Sequence, residues 1–184
     1  MRVFVTGAGR CGTLTFAKAC EAAVGELAGV AGPTVAHEGS LDKAAPWTYP
    51  DNHIEVDCRL VWHAHYLLEA YPDAYWIVLD RDRDAIAASW AKKGDLRAAF
   101  SMLAHAGGPR ASADLYVGFV YQYLNRLFPL AASGNVAWHE GAVPYLWLTT
   151  PIGQEEAVLA WDEIGMGGSL GEFVRTLTRV YNRG

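Results

Sequence analysis

The chain has 184 residues, 52% apolar and 19% charged, a balance that fits one globular domain with a full core and excludes a disordered chain. Its formal net charge is −5 with no run of Lys or Arg, which excludes a duplex-binding surface and leaves any anionic ligand to local geometry. No apolar stretch approaches the roughly 18–20 residues of a membrane span, and Met1-Arg2-Val3-Phe4-Val5-Thr6 runs into glycines without the layout of a signal peptide, so a cytoplasmic location is expected.

Residues 2–6 (RVFVT) form a short apolar run that predicts a buried strand. The glycine-rich turn Gly7-Ala8-Gly9-Arg10-Cys11-Gly12 follows. A helix is predicted over 13–26, with Leu14, Phe16, Ala17 and Cys20 at helical spacing. Residues 27–52, broken by Pro33, Pro46 and Pro50, read mostly as loop with a short strand near 34–36. His37-Glu38 falls in that segment, where an acceptor could reach, and reads as part of a solvated loop. Residues 53–58 (HIEVDC) alternate polar and apolar, a strand signal that puts Glu55 and Asp57 on one face. A helix over 60–70 ends near Pro72, and 75–80 (YWIVLD) is the strongest buried-strand signal in the chain.

A helix over 82–92 follows, then helices over 94–106 and 112–130 split by Gly107-Gly108-Pro109. Residues 135–139 predict another strand, and helices over 153–162 and 169–181 flank a glycine turn at 165–168. Strands alternating with helices predict an α/β fold: three layers, α/β/α, around a mostly parallel sheet. One domain over 1–184 is expected, with a cofactor-binding half at 2–92 and a helical acceptor and cover half at 93–184. The cysteines Cys11, Cys20 and Cys58 are odd in number and form no CxxC pair, so neither a disulfide framework nor a zinc site is expected.

The chemistry concentrates in two places. In Gly7-x-x-x-x-Gly12-Thr13 a glycine turn between strand and helix lets backbone N–H groups approach an anion, and the helix N-terminus adds its partial positive charge. Arg10 supplies a full charge and Thr13 a hydroxyl. The nucleoside triphosphatase loop has a lysine after its last glycine, and here Thr13 stands in that place, which disfavours ATP-driven phosphoryl transfer. In the second place, the strand over 75–80 delivers Arg81 at its C-terminal end, where open parallel sheets bind ligands, and the next helix carries Ser89.

These residues resemble a family. Thr6-Gly7-Ala8-Gly9-Arg10-Cys11-Gly12-Thr13 is similar to the 5′-phosphosulfate loop of sulfotransferases that use 3′-phosphoadenosine 5′-phosphosulfate (PAPS), within the P-loop nucleoside triphosphate hydrolase-like superfamily. The stretch from Arg81 to Trp90 resembles that family's 3′-phosphate segment, and Tyr71-Pro72-Asp73-Ala74 its lead into the strand. The resemblance spans about residues 2–92. It implies a P-loop, sulfotransferase-like architecture and transfer of a sulfuryl group from PAPS to a hydroxyl or amine, with no metal. It also implies a cofactor site of Gly7, Ala8, Gly9, Arg10, Cys11, Gly12, Thr13, Leu14, Arg81 and Ser89, with Arg10 stabilising the transferring group. Cys11 departs from the serine more common there.

A base must take the acceptor's proton. Glu55, Asp57 and His63 are the candidates: spacing to Pro72 favours Glu55, nearness to the strand end favours Asp57, the residues alone leave both open, and either fits a paired structural carboxylate equally well. His63 and His65 lie two apart on a helix and diverge, a poor metal pair. Trp47, Tyr49, Trp62, Trp90 and the aromatics at 116–128 are assigned to the core. The expected partner is a small-molecule or carbohydrate acceptor, with no nucleic acid and no membrane, and the aromatic content leaves a homodimer open. Two other functions fit less well: a P-loop nucleotide or nucleoside kinase-like enzyme, and a non-catalytic nucleotide-binding protein of the same fold.

Overall fold

The structure is a computed structural model that describes residues 1–25, 32–39, 48–93, 109–130, 145–146, 155, 158–159, 161–162 and 168–181. In chain order the elements are β1 (Arg2–Gly7), α1 (Thr13–Gly25), β2 (Thr34–His37), β3 (His53–Val56), α2 (Leu60–Ala70), β4 (Tyr75–Leu79), α3 (Arg83–Lys93), α4 (Pro109–Leu130), β5 (Tyr145–Leu146) and α5 (Leu170–Tyr181). The helix read at 94–106 and the strand read at 135–139 lie outside the described residues. Helical residues occur at 155, 158–159 and 161–162, within the helix read at 153–162.

The strands form one sheet in the order β2-β3-β1-β4-β5, and every pairing is parallel. The class is α/β, as alternating strands and helices require. From β1 the chain crosses to β2 on one side, and from β3 it crosses β1 to reach β4 on the other. Right-handed crossovers in opposite directions place α1 and α2 on opposite faces. The helix contacts follow that division: α1 packs against α5, while α2 and α3 pack against α4.

Apolar spacing explains these contacts. Phe16, Ala17, Cys20 and Ala23 of α1 are buried, and Phe16 meets Phe173 of α5 edge-on at 5.6 Å. Trp161 stacks on Phe173 at 4.8 Å. Ser169 caps α5 by accepting the Glu172 N–H at 3.2 Å, and its own N–H bonds the Ala23 carbonyl at 3.0 Å. The C-terminal helix is thereby pinned to the helix that follows the glycine loop.

β3 lies between β1 and β2, so both its edges are paired. All four of its residues are buried, and so is Asp57 beyond it. Register puts Phe4, Glu55, Trp76 and Ala36 on one face, and Val5, Val56, Ile77 and His37 on the other. Among the described residues no helix is long and apolar enough to cross a membrane.

Candidate anion-binding site

The C-terminal ends of β1, β2, β3 and β4 form one rim, and the loop 7–13 sits at its centre. Two glycines there answer to space. A Cβ on Gly7 would lie 2.4 Å from the Leu79 carbonyl oxygen and 2.8 Å from Cys11 Sγ. One on Gly9, where φ is +68°, would lie 2.7 Å from Trp90 Cζ2. Arg10 also adopts left-handed backbone, φ 56°, an uncommon state for a long side chain. Helix α1 begins on the Gly12 carbonyl, which accepts the Phe16 N–H at 2.9 Å. The amides of Thr13, Leu14 and Thr15 belong to the first turn, where the helix supplies no acceptor. The Leu14 side chain is exposed.

The β4–α3 segment is bonded to this loop at three points. Arg81 Nη1 donates to the Arg10 carbonyl at 3.2 Å. Arg10 Nε donates to Ser89 Oγ at 2.8 Å. Trp90 Nε1 donates to the Ala8 carbonyl at 3.0 Å. Arg10, Arg81 and Ser89, 71 and 79 residues apart in sequence, thus share one short stretch of rim. Neither guanidinium has a carboxylate ion-pair partner among the described residues. Asp80 instead accepts the Tyr121 hydroxyl and the Arg81 N–H at 2.7 Å, which fixes the backbone from which Arg81 projects.

Two thiols lie beneath the loop. Burial pushes Cys11 up to about 12, and burial with the nearby Asp57 pushes Cys58 up to about 12. Both stay protonated at neutral pH, so neither serves as a thiolate nucleophile.

The structure gives the two candidate carboxylates other partners. Glu55 and Asp57 are wholly buried. Glu55 Oε1 accepts the Gly39 N–H at 2.8 Å, and Oε2 lies 3.2 Å from His53 Nε2. Asp57 Oδ1 accepts from Arg59 Nε at 2.9 Å, and Oδ2 from Nη2 at 2.6 Å. Burial without such pairing would cost each several kcal/mol. His63 is exposed on α2, and partial burial lowers its imidazole below the ordinary value while Asp57 pulls it up. Among the described residues no group of His, Cys, Asp and Glu is arranged to hold a metal ion.

Three features escape the sequence reading. Trp90 buttresses the loop from outside the main core. Arg59 is the partner that satisfies Asp57. His37, read as part of a loop, ends β2 with its Nε2 3.5 Å from Thr13 Oγ1. Extending the strand signal at 34–36 by one residue would have put His37 on this rim.

Searches of protein-family models, curated proteins and solved structures find no match to this chain.

Proposed function

We propose that the chain is a PAPS-dependent sulfotransferase of P-loop, sulfotransferase-like architecture. The observation that carries this reading is the junction of Arg81, Arg10 and Ser89: Arg81 reaches the Arg10 carbonyl at 3.2 Å while Arg10 reaches Ser89 at 2.8 Å. A nucleotide with phosphates on the 3′ and 5′ oxygens of one ribose needs two neighbouring anion cradles, one sugar apart. The loop with the α1 N-terminus is suited to the 5′-phosphosulfate. Arg81 and Ser89 are suited to the 3′-phosphate. Two arginines with no carboxylate partner among the described residues invite an anion, since charge-assisted bonds to phosphate are the strong ones.

Sulfuryl transfer is in-line displacement, where position and fixed charge do most of the work. In this reading Arg10, Thr13 and the loop amides hold the phosphosulfate and stabilise the charge that grows on the leaving oxygen. The partner is a hydroxyl- or amine-bearing small molecule or carbohydrate. Glu55 and Asp57 are already committed to His53, Gly39 and Arg59, so they act as structural acids.

Calorimetry with adenosine 3′,5′-bisphosphate, without metal, against ATP with Mg²⁺ tests the reading. Micromolar binding of the bisphosphate alone is expected. Binding of ATP–Mg²⁺ alone would overturn it in favour of a kinase-like enzyme. Bisphosphate binding without turnover across an acceptor panel would mean a non-catalytic binder.

A further inference from the structure

The end of β2 is held more firmly than an edge strand needs. The Glu38 N–H bonds the Val56 carbonyl at 3.0 Å, and the Glu38 carbonyl accepts from Arg59 Nη2 at 3.0 Å. The Gly39 N–H donates to Glu55 at 2.8 Å. Glu38 takes left-handed backbone, φ 56°, and a Cβ on Gly39 would lie 3.1 and 3.2 Å from the two Glu55 oxygens. Behind these anchors stand the two wholly buried carboxylates. Glu55 is braced by His53, whose Nδ1 lies 2.7 Å from Thr34 Oγ1. Asp57 is braced by Arg59 at 2.6 Å. Two buried acids therefore hold one three-residue turn by its backbone, Glu55 at the Gly39 N–H and Asp57 through Arg59 at the Glu38 carbonyl.

That turn presents His37. By register its side chain stands on the face opposite Glu55, beside Val56, and its Nε2 is 3.5 Å from the hydroxyl of the first residue of α1. We propose that His37 takes the acceptor's proton, and that Glu55 and the Asp57–Arg59 pair are positioning residues that hold it against Thr13. This rests on the sulfotransferase reading above. In the step, the acceptor oxygen attacks sulfur and forms the new S–O bond. The S–O bond to the 5′-phosphate breaks, its electron pair stays on the phosphate oxygen, and the acceptor proton moves to His37 Nε2. No electron is gained or lost overall.

The test uses PAPS with water as acceptor, read as released sulfate, alongside calorimetry with adenosine 3′,5′-bisphosphate. His37→Ala is expected to lower kcat by roughly 10²-fold or more, keep bisphosphate affinity within about threefold, and regain turnover when imidazole is added. Glu55→Gln is expected to lower kcat with KM nearly unchanged, and to cost nothing further in the His37→Ala background, because it acts through the same residue. Wild-type turnover with His37→Ala unchanged would overturn the assignment and leave the sulfotransferase reading standing. Neither binding nor sulfate release by the wild type would take down both. If the variants fail to fold, diethyl pyrocarbonate labelling of the wild type, followed by mass spectrometry, decides. His37 is expected to be shielded by PAPS, and equal labelling with and without it would overturn the proposal.

Discussion

The two ends of the sheet are built on different terms. At the N-terminal ends of the strands the material is aromatic. Phe4 meets Tyr49, Tyr71 and Trp76 at 5.1, 5.7 and 5.1 Å between ring centres. The Arg2 guanidinium lies 4.5 Å from the centre of the Tyr71 ring and ion-pairs Asp51 at 2.7 Å. At the C-terminal rim the material is polar and the backbone is strained. Among the described residues three other than glycine have positive φ: Arg10 and Glu38 at the rim, and Asn52 at the other end. Asn tolerates that conformation, whereas Arg and Glu do so at a cost of order 1 kcal/mol or more. One end stabilises the fold and the other spends part of that stability on shape, the division expected where a site is built on a rigid scaffold.

The largest effect should come from the aromatic end. Phe4→Ala should lower unfolding free energy by about 3–5 kcal/mol in urea titration, while the folded protein keeps its affinity for adenosine 3′,5′-bisphosphate. A parallel loss of affinity would show that the two ends are not independent. Next comes Arg81→Ala, which should weaken the bisphosphate by about 1.5–3 kcal/mol in calorimetry and leave stability almost unchanged. Adenosine 5′-phosphosulfate, which lacks the 3′-phosphate, should lose far less. Equal losses for both ligands would remove Arg81 from the 3′-phosphate.

Arg10→Gly sharpens the comparison because its two effects have opposite sign. Relief of left-handed backbone should raise stability by about 1 kcal/mol, since the bond lost to Ser89 is exposed and worth little net. Ligand affinity should fall at the same time. Asn52→Gly should change stability by only a few tenths of a kcal/mol. If both glycine variants gain alike, strain is not concentrated at the rim.

Much of this contrast is visible in the sequence, for physical reasons. β1, α1, α2, β4 and α3 stand within a residue or so of their reading because each is a local pattern, an apolar run or a helical spacing bounded by glycine or proline. Arg81 and Ser89 could be placed near the loop because a strand end and one following helix fix them. β2 reads one residue short, since its four residues sit among prolines and glycines, and its missing last residue is His37. The alternation in 53–58 gave a strand but could not say that its polar side is buried. That depends on long-range packing, and the partners His53, Gly39 and Arg59 lie up to 16 residues from Glu55 or Asp57. Trp90 was read as core from its size, yet its indole N–H serves Ala8, 82 residues away. β5, two residues long, carries no periodicity to read.

The smallest effect concerns alkaline pH, and its sign follows from the thiols. Burial pushes Cys11 and Cys58 at the rim from 9.0 up to about 12, and raises Cys20 in α1 as well. A raised folded value favours the neutral thiol, so this stabilisation is whole below the unfolded value near 9.0 and is lost as pH rises from there towards 12. Tyr49, at the aromatic end, is also raised by burial, but its ordinary value is 10.0, so its loss begins later. Between pH 8 and 9.5 the decline therefore belongs to the thiols, each contributing less than about 1 kcal/mol, and Cys11 and Cys58, both raised to about 12, contribute alike. Cys58→Ala should flatten the fall in urea midpoint across that window about as much as Cys11→Ala would. An unchanged slope would mean that water reaches Cys58 beneath Gly9, and that the rim is looser than its hydrogen bonds imply.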